Sequence, residues 1–258
     1  MTAPKIGLSM LYTFGEAFEK MVEEIPKMHT RYIELIDDGP HALDKQRVAA
    51  LRGVSESYDV EFSVHAPFTG INIVLQDKTL LSATLKRLKE SIINSAALSC
   101  KLWVFHPGTK TVHSMFDPDA EWVKNLENAR LLWKLAGEHS MRVAIENIME
   151  PCVLRSVGEF QRFYEEVSED VGLVLDTGHA NLSGEVDSFL RELPDKLVHV
   201  HAQDNFGERD QHLGIGYGNI NWENFASLLK KASFDGIVIV ESVEHIDESM
   251  QKLRHLLQ

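Results

Sequence analysis

Two cysteines in 258 residues, Cys100 and Cys152, are too few for a disulfide framework and form no Cys-x-x-Cys pair. They fit a reducing compartment, so a cytoplasmic location is expected. No apolar run approaches the ~20 residues that cross a bilayer. The opening MTAPKIGLSM has one lysine and no extended apolar segment, so neither a signal peptide nor a membrane partner is expected. Basic residues are also scarce: 26 Lys and Arg against 39 Asp and Glu leave a net charge of −13. That balance argues against nucleic acid as a partner, although carboxylates that bind divalent cations enter the same count. Glycine is thin where a doubly wound nucleotide-binding fold needs it. The first strand-to-helix turn, LSMLYTFGEA, has one glycine, which disfavours a Gly-rich phosphate turn. The one dense glycine stretch, Gly214-Ile-Gly-Tyr-Gly218, lacks the phosphate-loop spacing and reads as a plain turn.

What the chain does have is alternation. Short β-rich runs are expected at Ile6–Met10, Tyr32–Ile36, Glu61–His65, Leu102–His106, Arg142–Asn147, Val171–Asp176, Leu197–Gln203 and Ile237–Ser242. Helical spacing separates them: Phe14, Phe18, Met21, Val22, Ile25 and Met28; then Leu81, Leu85, Leu88 and Ile92; then Trp122, Leu126, Ala129, Trp133 and Ala136. A last helix is expected from about Asp247 to Leu257. The length suits one α/β barrel, and neither a linker nor a composition break divides the chain. The expected fold is therefore α/β, a single (β/α)8 TIM barrel over residues 1–258, with its site at the C-terminal strand ends.

Those strand ends carry the chemistry. VGLVLDTGHA runs an apolar strand into Asp176, and a turn at Gly178 is expected to deliver His179. The other ends carry Glu34, His65, His106, Glu146 with Asn147, His201 and Glu241, and the loop after strand seven adds Asp210 and His212. These are donors for zinc, manganese, cobalt or magnesium. Any one of them alone is more often a hydrogen-bonded structural residue. Many acids and imidazoles converging with hardly any Lys or Arg are costly to bury unless a divalent metal joins them. His199, two residues before His201 and one layer deeper, reads as core, and His113 and His139 as solvent-facing. Trp122 and Trp133 read as packing, Trp103 is open, and Phe14 and Phe68 form either an apolar wall or loop packing.

The motifs HAPFTGIN, FHPG, IEN, LDTGHA, HVHAQD, RDQHLGIGYGNINW and VIVES resemble the xylose isomerase-like barrels, which include sugar isomerases, sugar epimerases and endonuclease IV. The resemblance implies one catalytic metal held by Glu146, Asp176, His201 and Glu241. Glu146 and Glu241 would then move the proton beside a keto-sugar's carbonyl through a metal-stabilised enediolate. Glu34, His65, His106, His179, Phe14, Phe68 and Asn147 would contact the sugar. The alternative, an endonuclease IV-like zinc hydrolase of abasic DNA, adds His65, His106, His179, Asp210 and His212 as ligands for up to three zinc ions. The acidic charge, reduced loops and few basic residues near the strand ends, chiefly Arg155 and Arg209, favour the isomerase or epimerase. Lys110 and Arg155 are candidates for a phosphate, weighed against ordinary surface roles, and a homo-oligomer is compatible with the chain.

Overall fold

Period-two apolar residues make eight short strands, and the computed structural model, which describes residues 4–257, closes them into one parallel barrel in the order β1 to β8. The strands are β1 Lys5–Ser9, β2 Tyr32–Ile36, β3 Glu61–His65, β4 Leu102–Phe105, β5 Arg142–Glu146, β6 Gly172–Asp176, β7 Leu197–Ala202 and β8 Ile237–Val240. All eight expected strands are present, within one or two residues at their ends. Residues 1–3 and 258, which fall within the expected domain, lie outside the described residues, as do the first three positions of the opening segment.

Each strand is followed by helix: α1 Phe18–Glu24, α2 Lys45–Tyr58, α3 Lys78–Ala97, α4 Pro118–Glu138, α5 Val157–Glu166, α6 Thr177–Leu182, α7 Val186–Glu192, α8 Trp222–Lys231 and α9 Ile246–Leu257. Side-chain caps start the longer ones. Asp44, Asp77 and Asp117 accept first-turn amides of α2, α3 and α4, and Ser156 with Glu159 closes a capping box on α5. The expected first helix is broken. Phe14 lies outside it, and beyond Glu24 the chain tightens into a 3-10 turn, Ile25–Lys27, led by Pro26. No helix among the described residues is long and apolar enough to cross a membrane.

Alternation splits the apolar residues into two cores. Leu35, Val64, Phe105, Ile145, Leu175, Val200 and Val240 face the helices. Val104, Ala144 and Val174 pack together in the lumen. Trp103 belongs to the outer core, where its indole N–H donates to Ser91 Oγ at 3.0 Å. Trp122 and Trp133 are buried on α4 as helix packing. One irregularity matters for the site. Leu173 pairs with Leu197 but Val174 pairs with His199, so Val198 is an unpaired bulge residue. Above it, His199 and His201 both face the lumen, and Gly172 leaves room for the Val198 side chain, which a Cβ there would meet at 2.3 Å.

Candidate functional site

Parallel strands deliver their last inward residues to one ring. β3 ends on His65, β5 on Glu146 and β6 on Asp176, while His106 and Glu241 follow β4 and β8 directly. His201 is the inward residue next to the end of β7. Glu146 is the hub. Its Oε2 lies 3.2 Å from His65 Nε2, 3.4 Å from His106 Nε2 and 3.3 Å from His201 Nδ1, and its Oε1 lies 3.2 Å from His179 Nδ1. The loop after β7 brings Asp210 to 3.0 Å from His212 Nε2 and 3.5 Å from His179 Nε2.

The turn expected at Gly178 is instead the first turn of α6. Asp176 caps that helix by accepting the His179 amide at 2.6 Å, which swings the imidazole back over the ring. Gly178 is required by packing: a Cβ there would meet the Gln203 amide group at 2.2 Å. Gln203, which the sequence reading passed over, donates to Asp210 Oδ1 at 2.6 Å and to Asp176 Oδ1 at 3.3 Å. It follows His201 by two residues on β7's path, so period-two alternation was the available signal.

The electrostatics are those of acids and imidazoles sharing one dry space. Burial works to raise Glu146, but His201 and His106 outweigh it and hold the carboxyl well below the usual range. Burial raises Asp176, with His179 opposing, and raises Glu241 to about 7 despite His201 and His212. Burial would lower His179 and His201, yet the surrounding carboxylates lift both well above an ordinary imidazole. His106 stays lowered, chiefly by burial.

Two observations test whether these residues fit a metal ion. First, Asp176 Oδ2 and both ring nitrogens of His201 are buried without a hydrogen-bond partner. Second, main-chain carbonyls fix one ring nitrogen of several imidazoles. His65 Nδ1 meets Ala66 O at 2.8 Å, His179 Nδ1 meets Asn147 O at 3.0 Å and His212 Nδ1 meets Glu241 O at 2.9 Å. For His65 and His212 this leaves Nε2 for the site. Groups of donor atoms within 4.8 Å of one another are His65, His106 and Glu146; Glu146, Asp176 and His179; Asp176, His201 and Glu241; and, deeper, Glu34, His199 and His201. The donor set fits a divalent ion.

Above the ring opens a cavity of about 650 Å³ whose lining mixes polar and apolar side chains. His65, His106, Glu146, His179, Asp210, His212 and Glu241 are its polar lining, and Leu11, Phe14, Ile36, Phe68, Ile148 and Val243 are among its apolar lining. Among the described residues no Lys or Arg lines it. Phe14 and Phe68 are thus wall residues, with ring centroids 6.0 Å apart. Phe68 also stacks on His106 at 5.6 Å, held by Asp38, whose Oδ2 accepts the Phe68 and Thr69 amides. Two expected sugar contacts are corrected. Glu34 is fully buried below the ring, 2.9 Å from both Ser63 Oγ and His199 Nε2. Asn147 turns away and pairs with the main chain of Asp176, accepting its N–H at 2.7 Å and donating to its O at 3.1 Å. Neither lines the cavity.

The glycine loop is a turn with its own occupant. Gly216 and Ile220 amides and the Trp222 indole N–H all donate to the Asp204 carboxylate. Lys110 lies 3.8 Å from Glu159, Arg155 pairs with Glu150 and Glu159, and Arg155 and the exposed Arg209 line an adjoining cleft of about 410 Å³ that shares Ile148, Met149, His179 and Asp210 with the cavity.

Comparison with known proteins agrees with this architecture. The xylose isomerase-like TIM barrel family matches residues 22–258. The chain belongs to that family. Within it, a solved structure described as a D-tagatose 3-epimerase-like protein is similar with a TM-score of 0.92 and 25% identity, over 98% of this chain and 97% of its own. An uncharacterized protein of Methanocaldococcus jannaschii is 27% identical over 252 residues, 92% of this chain and 83% of its own length. "Probable endonuclease 4" of Staphylococcus aureus is 26% identical over 215 residues, 76% of this chain and 71% of its own. Solved structures that share the fold at under 25% identity include a D-allulose 3-epimerase from Methylomonas sp. and a D-psicose 3-epimerase, each with a TM-score of 0.76.

Proposed function

We propose that this chain is a divalent-metal-dependent isomerase or epimerase of a small keto-sugar. The observation that carries the reading is the cavity itself. Two carboxylates, Glu146 and Glu241, line it beside the partnerless atoms of Asp176 and His201, together with apolar side chains and, among the described residues, no Lys or Arg. An ion held by Glu146, Asp176, His201 and Glu241 would supply Lewis-acid polarisation of the substrate's carbonyl and neighbouring hydroxyl; manganese, cobalt, magnesium and zinc suit these donors.

The chain's own residues do the rest. Glu146 removes the proton from the carbon beside the carbonyl, and Glu241, three strands further round the ring, returns one. His179 and His106 meet the hydroxyls, while Phe14 and Phe68 cover the carbon face and keep out water. The described lining holds no Lys or Arg, which favours an uncharged sugar, while Arg155 and Arg209 in the adjoining cleft are where a sugar phosphate would reach. A cytoplasmic protein with a single barrel domain, alone or as a homo-oligomer, completes the reading.

The experiment is solvent-deuterium exchange on a panel of ketohexoses that includes D-tagatose. Label should enter at the carbon beside the carbonyl, and Glu146→Gln should abolish it. Unchanged exchange in that variant would remove Glu146 from its role. One observation favours a second reading: His65, His106, His179, Asp210 and His212 all converge on the same ring. A zinc phosphodiesterase acting on abasic DNA would need all five, and cleavage of an abasic duplex by the zinc-loaded protein would establish it.

A further inference from the structure

Beneath the ring lies a cluster that the proposed reaction does not use. Glu34 on β2 is fully buried, and no part of it reaches the cavity. Its Oε2 accepts from Ser63 Oγ on β3 and contacts His199 Nε2 on β7, both at 2.9 Å. Its Oε1 lies 2.7 Å from His201 Nε2. Register explains the level: Glu34 pairs with Ser63 and Ile36 with His65, so Glu34 sits one inward layer below the rim. The bulge at Val198 brings His199 and His201 to face it together.

We infer that Glu34 is a positioning residue, which holds the Nε2 side of His201 so that Nδ1 presents its electron pair toward Glu146 and Glu241. The inference rests on reading His201 as an ion ligand. A ring nitrogen 2.7 Å from a carboxylate oxygen carries its hydrogen, because two electron pairs at that distance repel. In neutral His201 the free pair is then on Nδ1. That atom lies 3.3 Å from Glu146 Oε2 and 3.5 Å from Glu241 Oε2, both longer than the 2.7 Å contact at Nε2, and none of the three contacts has hydrogen-bond angles.

His65, His179 and His212 are oriented by main-chain carbonyls, which the fold fixes. His201 is oriented by a side chain, which must itself be fixed. Ser63 and His199 do that, and this gives the otherwise unexplained buried His199 a task. A carboxylate also makes the facing imidazole more basic than a carbonyl does, and so a stronger donor to a cation.

The test is a cobalt(II) titration of the full chain, read by visible absorption, in the wild type and Glu34→Gln. Glu34→Gln should bind the same number of ions with about 10–100-fold weaker affinity. A purely structural Glu34 would lower the melting temperature of the metal-free protein and leave the affinity unchanged, which overturns the inference. Loss of one whole equivalent from two would also overturn it, because Glu34 would then be a ligand of a second ion with His199 and His201. If the variant fails to fold, the zinc-loaded wild type with ¹⁵N-labelled histidine decides. His201 should show a protonated Nε2 and a metal-shifted Nδ1, and the reverse overturns the inference. A wild type that binds no ion at all sinks the ion-site reading together with this one, a result distinct from an unaffected variant.

Discussion

Asp204 and Asp176 are both fully buried near the C-terminal end of the barrel, and their surroundings are opposites. Asp204 is saturated by neutral donors. Oδ1 takes the Asn205 and Ile220 amides at 3.0 and 3.2 Å, and Oδ2 takes the Gly216 amide and the Trp222 indole at 2.8 Å each. Asp176 caps α6 with Oδ1 and leaves Oδ2 without a partner, beside Glu146, Glu241 and His201. A buried acid with every electron pair satisfied by the fold is holding the fold together. A buried acid facing other acids, with an orphaned oxygen, is waiting for a cation. The same motif stretch, HVHAQD, supplies both kinds: His201 joins the ring, and Asp204 closes the loop behind it.

The largest effect should come from the ring's hub. Glu146→Gln should lower solvent-deuterium exchange by about 10²–10⁴-fold. Next, the two aspartates should part company. Asp176→Asn should weaken ion binding by more than about 100-fold, since even outer-sphere partners are worth 10–100-fold, with little loss of metal-free stability. Asp204→Asn should keep the ion and cost about 1–3 kcal/mol, because an amide group turned toward those donors leaves at least one unsatisfied. Denaturant melts paired with ion titrations measure both, and equal behaviour of the two variants would erase the distinction.

The comparison also has a pH signature. Burial raises Glu241 to about 7, with His201 and His212 offsetting part of the rise. His212 rises to about 9, against burial, because Asp210 and Glu241 face it. Both folded values lie above the ordinary ones, so each contribution to stability is present at low pH and lost as pH rises. The windows run from 4.5 through about 7 for Glu241 and from 6.5 through about 9 for His212. Ion binding needs these donors deprotonated and moves the opposite way. The melting-temperature gap between ion-loaded and ion-free protein should therefore widen with rising pH, and a constant gap would count against the ring as the ion site. The smallest effect belongs to the apolar wall: Phe68→Ala should raise KM about 2–10-fold with kcat nearly unchanged.

Much of this was legible in the sequence, for physical reasons. Eight period-two runs at barrel spacing gave eight strands, and inward residues at strand ends converge in any closed parallel barrel. What failed was depth and direction. Glu34 reads as a rim residue because the apolar Ile36 offers no chemistry to mark the rim, yet Ile36, two residues later, occupies the rim layer beside His65. Asn147 follows an inward Glu146, so alternation turns it aside to the Asp176 main chain. Gly178 looked like a turn, whereas its cause, the Gln203 side chain, is distant in sequence and invisible to local pattern. The break in the first expected helix was announced by Gly15 and Pro26.

The most direct test of the central claim is the identity and number of ions per chain in gently purified protein, by elemental analysis. The account predicts about one manganese, cobalt, magnesium or zinc ion per chain, lost on Asp176→Asn and retained on Asp204→Asn. About three zinc ions per chain, or none, would contradict it.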